Sequence, residues 1–551
     1  MARCFIALKR NAMKRNALKR NTGKKIKSQG EKEKDMLVKI ILLIIFFGTM
    51  IGVGVYSRRH ATDVNGFVLG GRGVGPWLTA FAYGTSYFSA VVFVGYAGQF
   101  GWKYGMSATW IGIGNALIGS LLAWVILGRR TRIMSKHFSS KTMPDFFGKR
   151  YESNALRIAA SVIAFIFLIP YTASVYNGLS RLFGMAFDIP YSACVIGMAV
   201  LTGIYVILGG YMATAINDFI QGIIMLFGIV AVIAAVLNGQ GGFYEAVRNL
   251  AEFESDVAVT AGQKGAFTSF LGPDPWNLFG VVVLTSLGTW GLPQMVHKFY
   301  AIKDEKSVRT GTIISTLFAI VISCGCYFLG GFGRLFDGPE IYGANGAIVY
   351  DAIVPTMLSK LSDILIGIVI VLVLSASMST LSSLVMTSSS TLTLDVIKGS
   401  IAKKMSEKKQ LLWMRVLIVF FIVVSVVIAL DPPAFIAQLM GISWGALAGA
   451  FLAPFLYGLY WKGVTRASVW ASFATGVGIT VANMFFKFIA SPINAGAIAM
   501  VAGLIIVPVV SLVTPKMKKE TVEACFACYN KKVVVENKVA LPKEENEEEK
   551  Q

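Results

Sequence analysis

Uninterrupted apolar runs of membrane-spanning length recur along almost the whole chain, and this feature limits the fold more than any other. Of the 551 residues, 55% are hydrophobic and 15% are charged, and the mean hydropathy is +0.64. A helix of about 20 apolar residues crosses the hydrocarbon core of a bilayer. We therefore predict an all-α polytopic membrane protein with about thirteen transmembrane helices. They begin near Met36, Pro76, Met106, Ala155, Ile189, Ala215, Pro275, Ser307, Leu361, Leu411, Ala434, Ala467 and Asn494.

The Lys and Arg residues between these runs predict the orientation of the chain. Loops that follow odd-numbered runs hold 21 of them, among which we count Lys298 and Lys303, and the other loops hold 7. Short basic loops stay on the cytoplasmic side of a membrane. We therefore predict a multi-pass protein of the plasma membrane with its amino terminus outside and its carboxyl terminus in the cytoplasm.

The first 35 residues disagree with that orientation. They carry twelve Lys and Arg residues against three acidic ones, and so basic a tail resists translocation. We expect that translation begins at Met36, which opens the first apolar run. The net charge of +21 comes largely from this tail and the cytoplasmic loops, so it does not indicate nucleic-acid binding.

A dense run of hydroxyl groups interrupts the apolar character of the ninth predicted helix, in the segment Leu374–Asp395. Ala376, Ser379 and Thr380 are spaced i, i+3 and i+4, which places one carbonyl and two hydroxyl oxygens on one helix face. Neutral oxygens suit a small alkali cation, and sodium is the first candidate. The alternative is that these hydroxyls bond to the preceding turn or to neighbouring helices.

Two predicted helices carry helix-breaking residues near their middle. The second has Gly84 followed by small polar residues, and the seventh has Gly288, Gly291 and Pro293. Secondary carriers place substrates and ions at such breaks, in corresponding helices of two inverted repeats. If the repeats cover helices two to six and seven to eleven, the two broken helices correspond. Each glycine or proline could instead serve packing or a simple kink.

Asp218 is a carboxylate within the sixth predicted helix. Such a residue in a membrane helix usually has a function, and here it could draw sodium toward the cytoplasm. Its carboxylate could instead be placed there to interact favourably with the positive end of the helix dipole. The three histidines, His60, His137 and His297, fall at cytoplasmic helix ends without a clustered nucleophile, so we do not expect an enzyme.

Six colinear stretches give the chain a family resemblance over residues 36–515. They are FVLGGRGVGP at 67–76, YFSA in the second helix, LGGYMATAINDFIQG, GLPQ, SASMSTLSS and YGLYWKGVTRAS. With them the chain resembles the sodium:solute symporter family, in its proline and pantothenate branch. The resemblance implies a LeuT-like core of five plus five inverted helices, with one helix before it and two after. The expected segments are a basic tail at 1–35, a first helix and loop at 36–75, the transport core at 76–466, two helices at 467–513 and a charged cytoplasmic tail at 514–551.

The resemblance also implies roles for individual residues. Sodium would be held by the carbonyls of Thr85, Phe88 and Ala376 and by the hydroxyls of Ser379 and Thr380. Asp218 matches an aspartate on the intracellular exit path of the ion. No transition metal and no organic cofactor is expected, and Cys525 and Cys528 are read as a reduced pair in the tail.

The residues expected around the solute depart from those of proline carriers. Tyr87 stands where those carriers have an aspartate, and Thr285 and Thr289 replace bulky aromatic groups, whereas Pro293 and Tyr171 are kept. We therefore predict sodium symport of a small, carboxylate-bearing solute such as an amino acid like proline or a pantothenate-like acid. The partners are this solute, sodium and the bilayer. The alternatives are a proton-coupled symporter of the same fold and a carrier-like membrane sensor.

Overall fold

The computed structural model describes residues 36–530 except 188, 344 and 432–434, and it gives the backbone alone for residues 185, 186 and 363. The predictions for the tail at 1–35 and for residues 531–551 lie outside this part of the chain. Within it, the regular structure is helical, and the extended pairings are three isolated β-bridges.

Most of the helices are joined by short connections, and the longest connections are residues 252–274 and 331–349. We number the main ones in chain order: α1 Met36–His60, α2 Val64–Leu69, α3 Pro76–Tyr87, α4 Val91–His137, α5 Met143–Arg150, α6 Asn154–Phe187, α7 Tyr191–Gly239, α8 Phe243–Ala251, α9 Pro275–Gly291, α10 Pro293–Ala301, α11 Glu305–Gly330, α12 Tyr350–Ser359, α13 Ile364–Ile401, α14 Glu407–Leu430, α15 Ile436–Tyr460, α16 Arg466–Phe486, α17 Pro492–Val513 and α18 Lys519–Phe526.

Several of these helices do not correspond one to one with membrane crossings. Ten helices in the described residues are long and apolar enough to cross a bilayer, and α9 with α10 forms an eleventh, bent span. Two of the ten, α4 and α7, have 47 and 49 residues, about twice the length that a crossing needs. Each contains a glycine with positive φ, Gly105 or Gly210, at which the helical path is interrupted. The count of thirteen crossings remains a prediction.

Both predicted broken helices are present, but one of the two breaks lies at a different residue from the one predicted. α9 and α10 meet at Leu292 with a bend of 46°, between Gly291 and Pro293 as predicted. In the second span the helix continues through Gly84 and ends at Tyr87. Gly84 serves packing instead, because a Cβ there would lie 2.4 Å from the ring of Phe318.

The two broken spans lie in the interior of the helix bundle. α3 packs against α7, α10, α11 and α13, and α13 packs in turn against α6, α7 and α14. α15 packs against α6, α9, α16 and α17. Buried hydrophobic side chains join all of these helices into one continuous core. The end of α3 is thereby held among the polar face of α13, the second half of α7 and α10.

Part of the segment predicted as a charged tail is helical and packs against the body of the protein. α18 carries Cys525 and Phe526 into buried positions, and Cys528 follows in the next turn. The guanidinium carbon of Arg150 lies 5.0 Å from the Phe526 ring centroid, and that of Arg130 lies 4.6 Å from the ring of Tyr529. These cation–π contacts explain why a segment this polar stays docked.

Candidate functional site

The end of α3 presents backbone carbonyl groups that its own helix cannot satisfy. Phe88 leaves the helical conformation with φ −109° and ψ 95°, and the chain becomes helical again at Val91, whose amide donates to Ser89 Oγ at 3.2 Å. The last carbonyls of a helix lack intrahelical donors and form the negative end of its dipole. This end is buried, so it favours a cation or hydrogen-bond donors placed opposite to it.

The hydroxyl-rich face of α13 lies opposite these carbonyls. Thr380 Oγ1 lies 3.3 Å from the carbonyl oxygen of Thr85, 3.4 Å from that of Ser86 and 3.1 Å from that of Ala376. Ser379 Oγ donates to Thr85 Oγ1 at 2.7 Å. All of these residues are buried. We call this group of neutral oxygens the oxygen cluster.

The structure thus brings together four of the five residues predicted to hold sodium and adds a fifth. Thr85, Ala376, Ser379 and Thr380 meet in the oxygen cluster, and Ser86 joins them through its carbonyl. Phe88 lies at the end of α3, where its amide donates to Gly84 at 3.1 Å. Within the described residues no hydrogen bond links Phe88 to α13. The carbonyl of Ser86 is available because α3 ends at Tyr87, three residues beyond Gly84.

Asp218 is fully buried on α7 and has a cationic partner that sequence reasoning placed elsewhere. Lys298 Nζ lies 3.8 Å from Asp218 Oδ2, and the two side chains are 2% and 1% exposed. Our assignment of Lys298 to a cytoplasmic loop was wrong, because the bend at Leu292 directs α10 back into the bundle. A carboxylate buried in a membrane protein needs a partner. That requirement is the signal that could have pointed to a lysine on the neighbouring broken span.

Lys298 also connects Asp218 with the oxygen cluster. Its Nζ donates to Ser383 Oγ at 2.9 Å, and Ser383 Oγ lies 2.8 Å from Ser86 Oγ. Ser86 is also the residue whose carbonyl faces Thr380. A continuous polar path therefore runs from the end of α3 through α13 to the pair on α10 and α7.

The aromatic residues predicted to line the solute pocket lie beside the break in the second span. Tyr87 stacks on Phe88 with ring centroids 4.3 Å apart and lies 6.0 Å from Trp444. Tyr171 approaches Trp444 edge to face at 5.9 Å. Trp444, on α15, was missed by the sequence analysis, which had no signal that distinguishes it from an apolar helix residue. Tyr171 OH and Trp444 Nε1 are buried and make no hydrogen bond with the described residues.

The two threonines of the predicted pocket have their hydroxyls engaged. Thr285 Oγ1 donates to the Val281 carbonyl at 2.9 Å, and its own carbonyl accepts from Tyr87 OH at 2.6 Å. Thr289 Oγ1 lies 3.1 Å from the carbonyl oxygen of Gly119. Pro293 is buried as the first residue of α10. Thr285 therefore orients Tyr87, and the hydroxyls of both threonines are already hydrogen-bonded.

The chain matches a known protein family over most of its length. The family model of the sodium:solute symporter family matches residues 67–476, well over half of the chain. The chain belongs to the sodium:solute symporter family. The sodium/proline symporters of Staphylococcus aureus strains JH9 and USA300 are each 29% identical to this symporter over 509 residues, covering 87% of this chain and 93% of the relative. The family and these relatives are symporters, so the protein is a transporter rather than an enzyme.

A solved structure agrees with this assignment at the level of the fold. A Na⁺-coupled sialic acid symporter, in a substrate-bound outward-open state, matches with a TM-score of 0.72 at 15% sequence identity. The match covers 87% of this symporter and 99% of that chain. The predicted all-α polytopic fold with a LeuT-like core is confirmed.

Proposed function

We propose that this symporter couples the entry of sodium to the uptake of a small, carboxylate-bearing solute. The observation that carries the proposal is the oxygen cluster, in which the unsatisfied end of α3 faces Ser379 and Thr380. It offers several uncharged oxygens with separations of 2.7 to 3.4 Å, which suits a monovalent cation. The sodium/proline symporters among the relatives support the same coupling ion.

The proposed solute site lies beside Tyr87, next to Tyr171 and Trp444. Tyr171 OH and Trp444 Nε1 are two buried donors that lie near each other and make no hydrogen bond of good geometry within the described residues. Buried donors are almost always satisfied in native proteins. A solute carboxylate would accept from both, while the stacked rings of Tyr87 and Phe88 would cover its apolar part. An amino acid such as proline and a pantothenate-like acid both have this combination of groups.

Sodium and solute would be coupled through the end of α3. Thr85 and Ser86 contribute to the oxygen cluster, and the next residue, Tyr87, lines the proposed solute site. Sodium would therefore order the helix end that also forms one wall of the pocket. Each ligand would then favour the same conformation, which is the condition for thermodynamic coupling between two sites.

The deciding experiment is uptake into proteoliposomes at fixed pH and membrane potential. Labelled proline and labelled pantothenate should each be tested with an inward sodium gradient and with an equal potassium gradient. A panel of unlabelled carboxylates should then compete for uptake. Uptake that follows a proton gradient and is indifferent to sodium would contradict the proposal.

Loss of either unpartnered donor is expected to weaken solute binding. Trp444→Phe and Tyr171→Phe keep an aromatic ring but remove a donor to the charged carboxylate, and such a hydrogen bond is worth about 1.5 kcal/mol at the low end. The half-saturating solute concentration at saturating sodium should rise by roughly ten-fold for each. Trp470→Phe is the matched control, because Trp470 is 42% exposed on α16. Equal solute affinity in all three variants would exclude Tyr171 and Trp444 from the solute site.

A further inference from the structure

The ammonium group of Lys298 is held inside the bundle, between the oxygen cluster and the side of the molecule that carries the basic loops. α10 runs from the bend at Leu292 to Ala301, and Ile302 pairs with Val74 in the loop region on that side. Lys298 is five residues beyond Pro293, the first residue of α10, so it lies part-way along this descent. Its Nζ lies 2.9 Å from Ser383 Oγ and 3.8 Å from Asp218 Oδ2, so an ion that reaches Asp218 comes close to it.

Lys298 and Asp218 attract each other but do not form a close, hydrogen-bonded ion pair. At 3.8 Å the pair is longer than a hydrogen bond. Within the described residues Asp218 makes no hydrogen bond of good geometry, and the side chains of Lys298 and Ser379 are its polar neighbours. Lys298 is held more closely by Ser383, at 2.9 Å, and its Nζ lies 5.4 Å from the ring centroid of Tyr211. Asp218 can therefore accept a second cation without first losing hydrogen bonds.

A sodium ion in the oxygen cluster and the Lys298 ammonium are two positive charges, connected through Ser86 and Ser383. Like charges that lie close together in a poorly solvated interior repel each other appreciably. A second cation close to the ion lowers the affinity of the oxygen cluster for sodium. It also prevents Asp218 from retaining an ion that has reached it.

We propose that Lys298 is a built-in competing cation that gates the exit of sodium. In this mechanism, which rests on the proposed function, Lys298 occupies Asp218 while the exit is closed. Sodium takes its place beside Asp218 only during release, when Lys298 moves away from Asp218 and keeps its hydrogen bond to Ser383. Return of Lys298 to Asp218 then expels the ion toward the basic side.

The test is the sodium affinity of charge variants, measured as binding of ²²Na⁺ to the purified, detergent-solubilised transporter. Lys298→Met removes the charge at similar length and should lower the half-saturating sodium concentration by roughly three-fold or more. Turnover in proteoliposomes should fall at the same time, because the unpaired Asp218 retains the ion. Lys298→Arg should stay close to wild type in sodium affinity. Lys306→Met is the matched control, because Lys306 is exposed on the same side of the molecule, and its sodium affinity should be unchanged.

Asp218→Asn keeps the test decisive if Lys298→Met is produced in poor yield. It leaves the ammonium without its counter-charge and should raise the half-saturating sodium concentration, opposite in sign to Lys298→Met. The double variant should return close to the wild-type value. Simple damage to folding cannot produce opposite signs in the single variants and recovery in the double variant.

Two results would overturn the gate, and they are distinguishable. If the wild type binds sodium and Lys298→Met binds it with equal or lower affinity, Lys298 does not compete with the ion. If the wild type itself binds no sodium, the proposed function fails and the gate fails with it.

Discussion

Removal of either hydroxyl of the oxygen cluster is expected to raise the half-saturating sodium concentration by roughly ten- to a hundred-fold. Ser379→Ala and Thr380→Ala each delete one oxygen that would contact the ion, and a hydrogen bond or contact to a charged group is worth about 1.5 to 3 kcal/mol. Solute affinity measured at saturating sodium should change much less, because a high ion concentration compensates for weakened ion binding. The measurement is solute uptake against sodium concentration in proteoliposomes.

A matched control lies on the same helix, next to the cluster. Ser377 is buried between Ala376 and Met378, but its hydroxyl donates to the Val373 carbonyl at 2.6 Å within its own helix. Ser377→Ala should therefore leave the sodium dependence within about two-fold of wild type, since it removes no oxygen from the cluster. If all three alanine variants behave alike, the hydroxyls of α13 serve helix packing and sodium binds elsewhere.

Gly101→Ala is expected to prevent accumulation of folded transporter. Gly101 on α4 crosses Gly330 at the end of α11, and a Cβ at position 101 would lie 2.0 Å from the Gly330 carbonyl oxygen and 2.1 Å from its carbonyl carbon. Backbone atoms cannot rotate away as a side chain does, so the two helices would have to separate. We expect the free energy of unfolding to fall by more than about 3 kcal/mol, which is a severe effect for an overpacked site.

The amount of monodisperse protein after gel filtration and its melting temperature would test this expectation. Gly197→Ala provides the control, because nothing lies within 4 Å of a Cβ at that helical position on α7. Alanine favours a helix over glycine, so this variant should melt at or slightly above the wild-type temperature. A Gly101→Ala protein with normal yield and melting temperature would show that α4 and α11 do not approach so closely.

Ser86 connects the proposed gate at Lys298 with the oxygen cluster. Ser86 contributes its carbonyl to the cluster and its hydroxyl to the path toward Lys298. Thus a change in ion occupancy at the cluster has a direct route to the pair on α10 and α7. This arrangement explains why the second, sixth, seventh and ninth predicted helices all carry polar residues that face one another.

Properties that depend on local chemistry are predictable from the sequence alone. Apolar runs require helices in a bilayer, because an unpaired backbone polar group in hydrocarbon is costly. Helical spacing was enough to place Ala376, Ser379 and Thr380 on one face. Gly291 and Pro293 marked the break in the seventh span for the same reason, since proline removes a backbone donor and clashes with the preceding turn.

Which distant residues meet depends on how the helices pack against one another. Lys298 and Asp218 are 80 positions apart, and a bend at Leu292 brings the lysine into the core where its charge alone predicted a cytoplasmic loop. Trp444 became part of the proposed solute site because α15 packs beside α6 and α9, which no property of its own segment reveals. Side-chain pairing across helices depends on helix crossing and rotation. Those are set by the packing of the whole core, and short-range sequence patterns do not encode them.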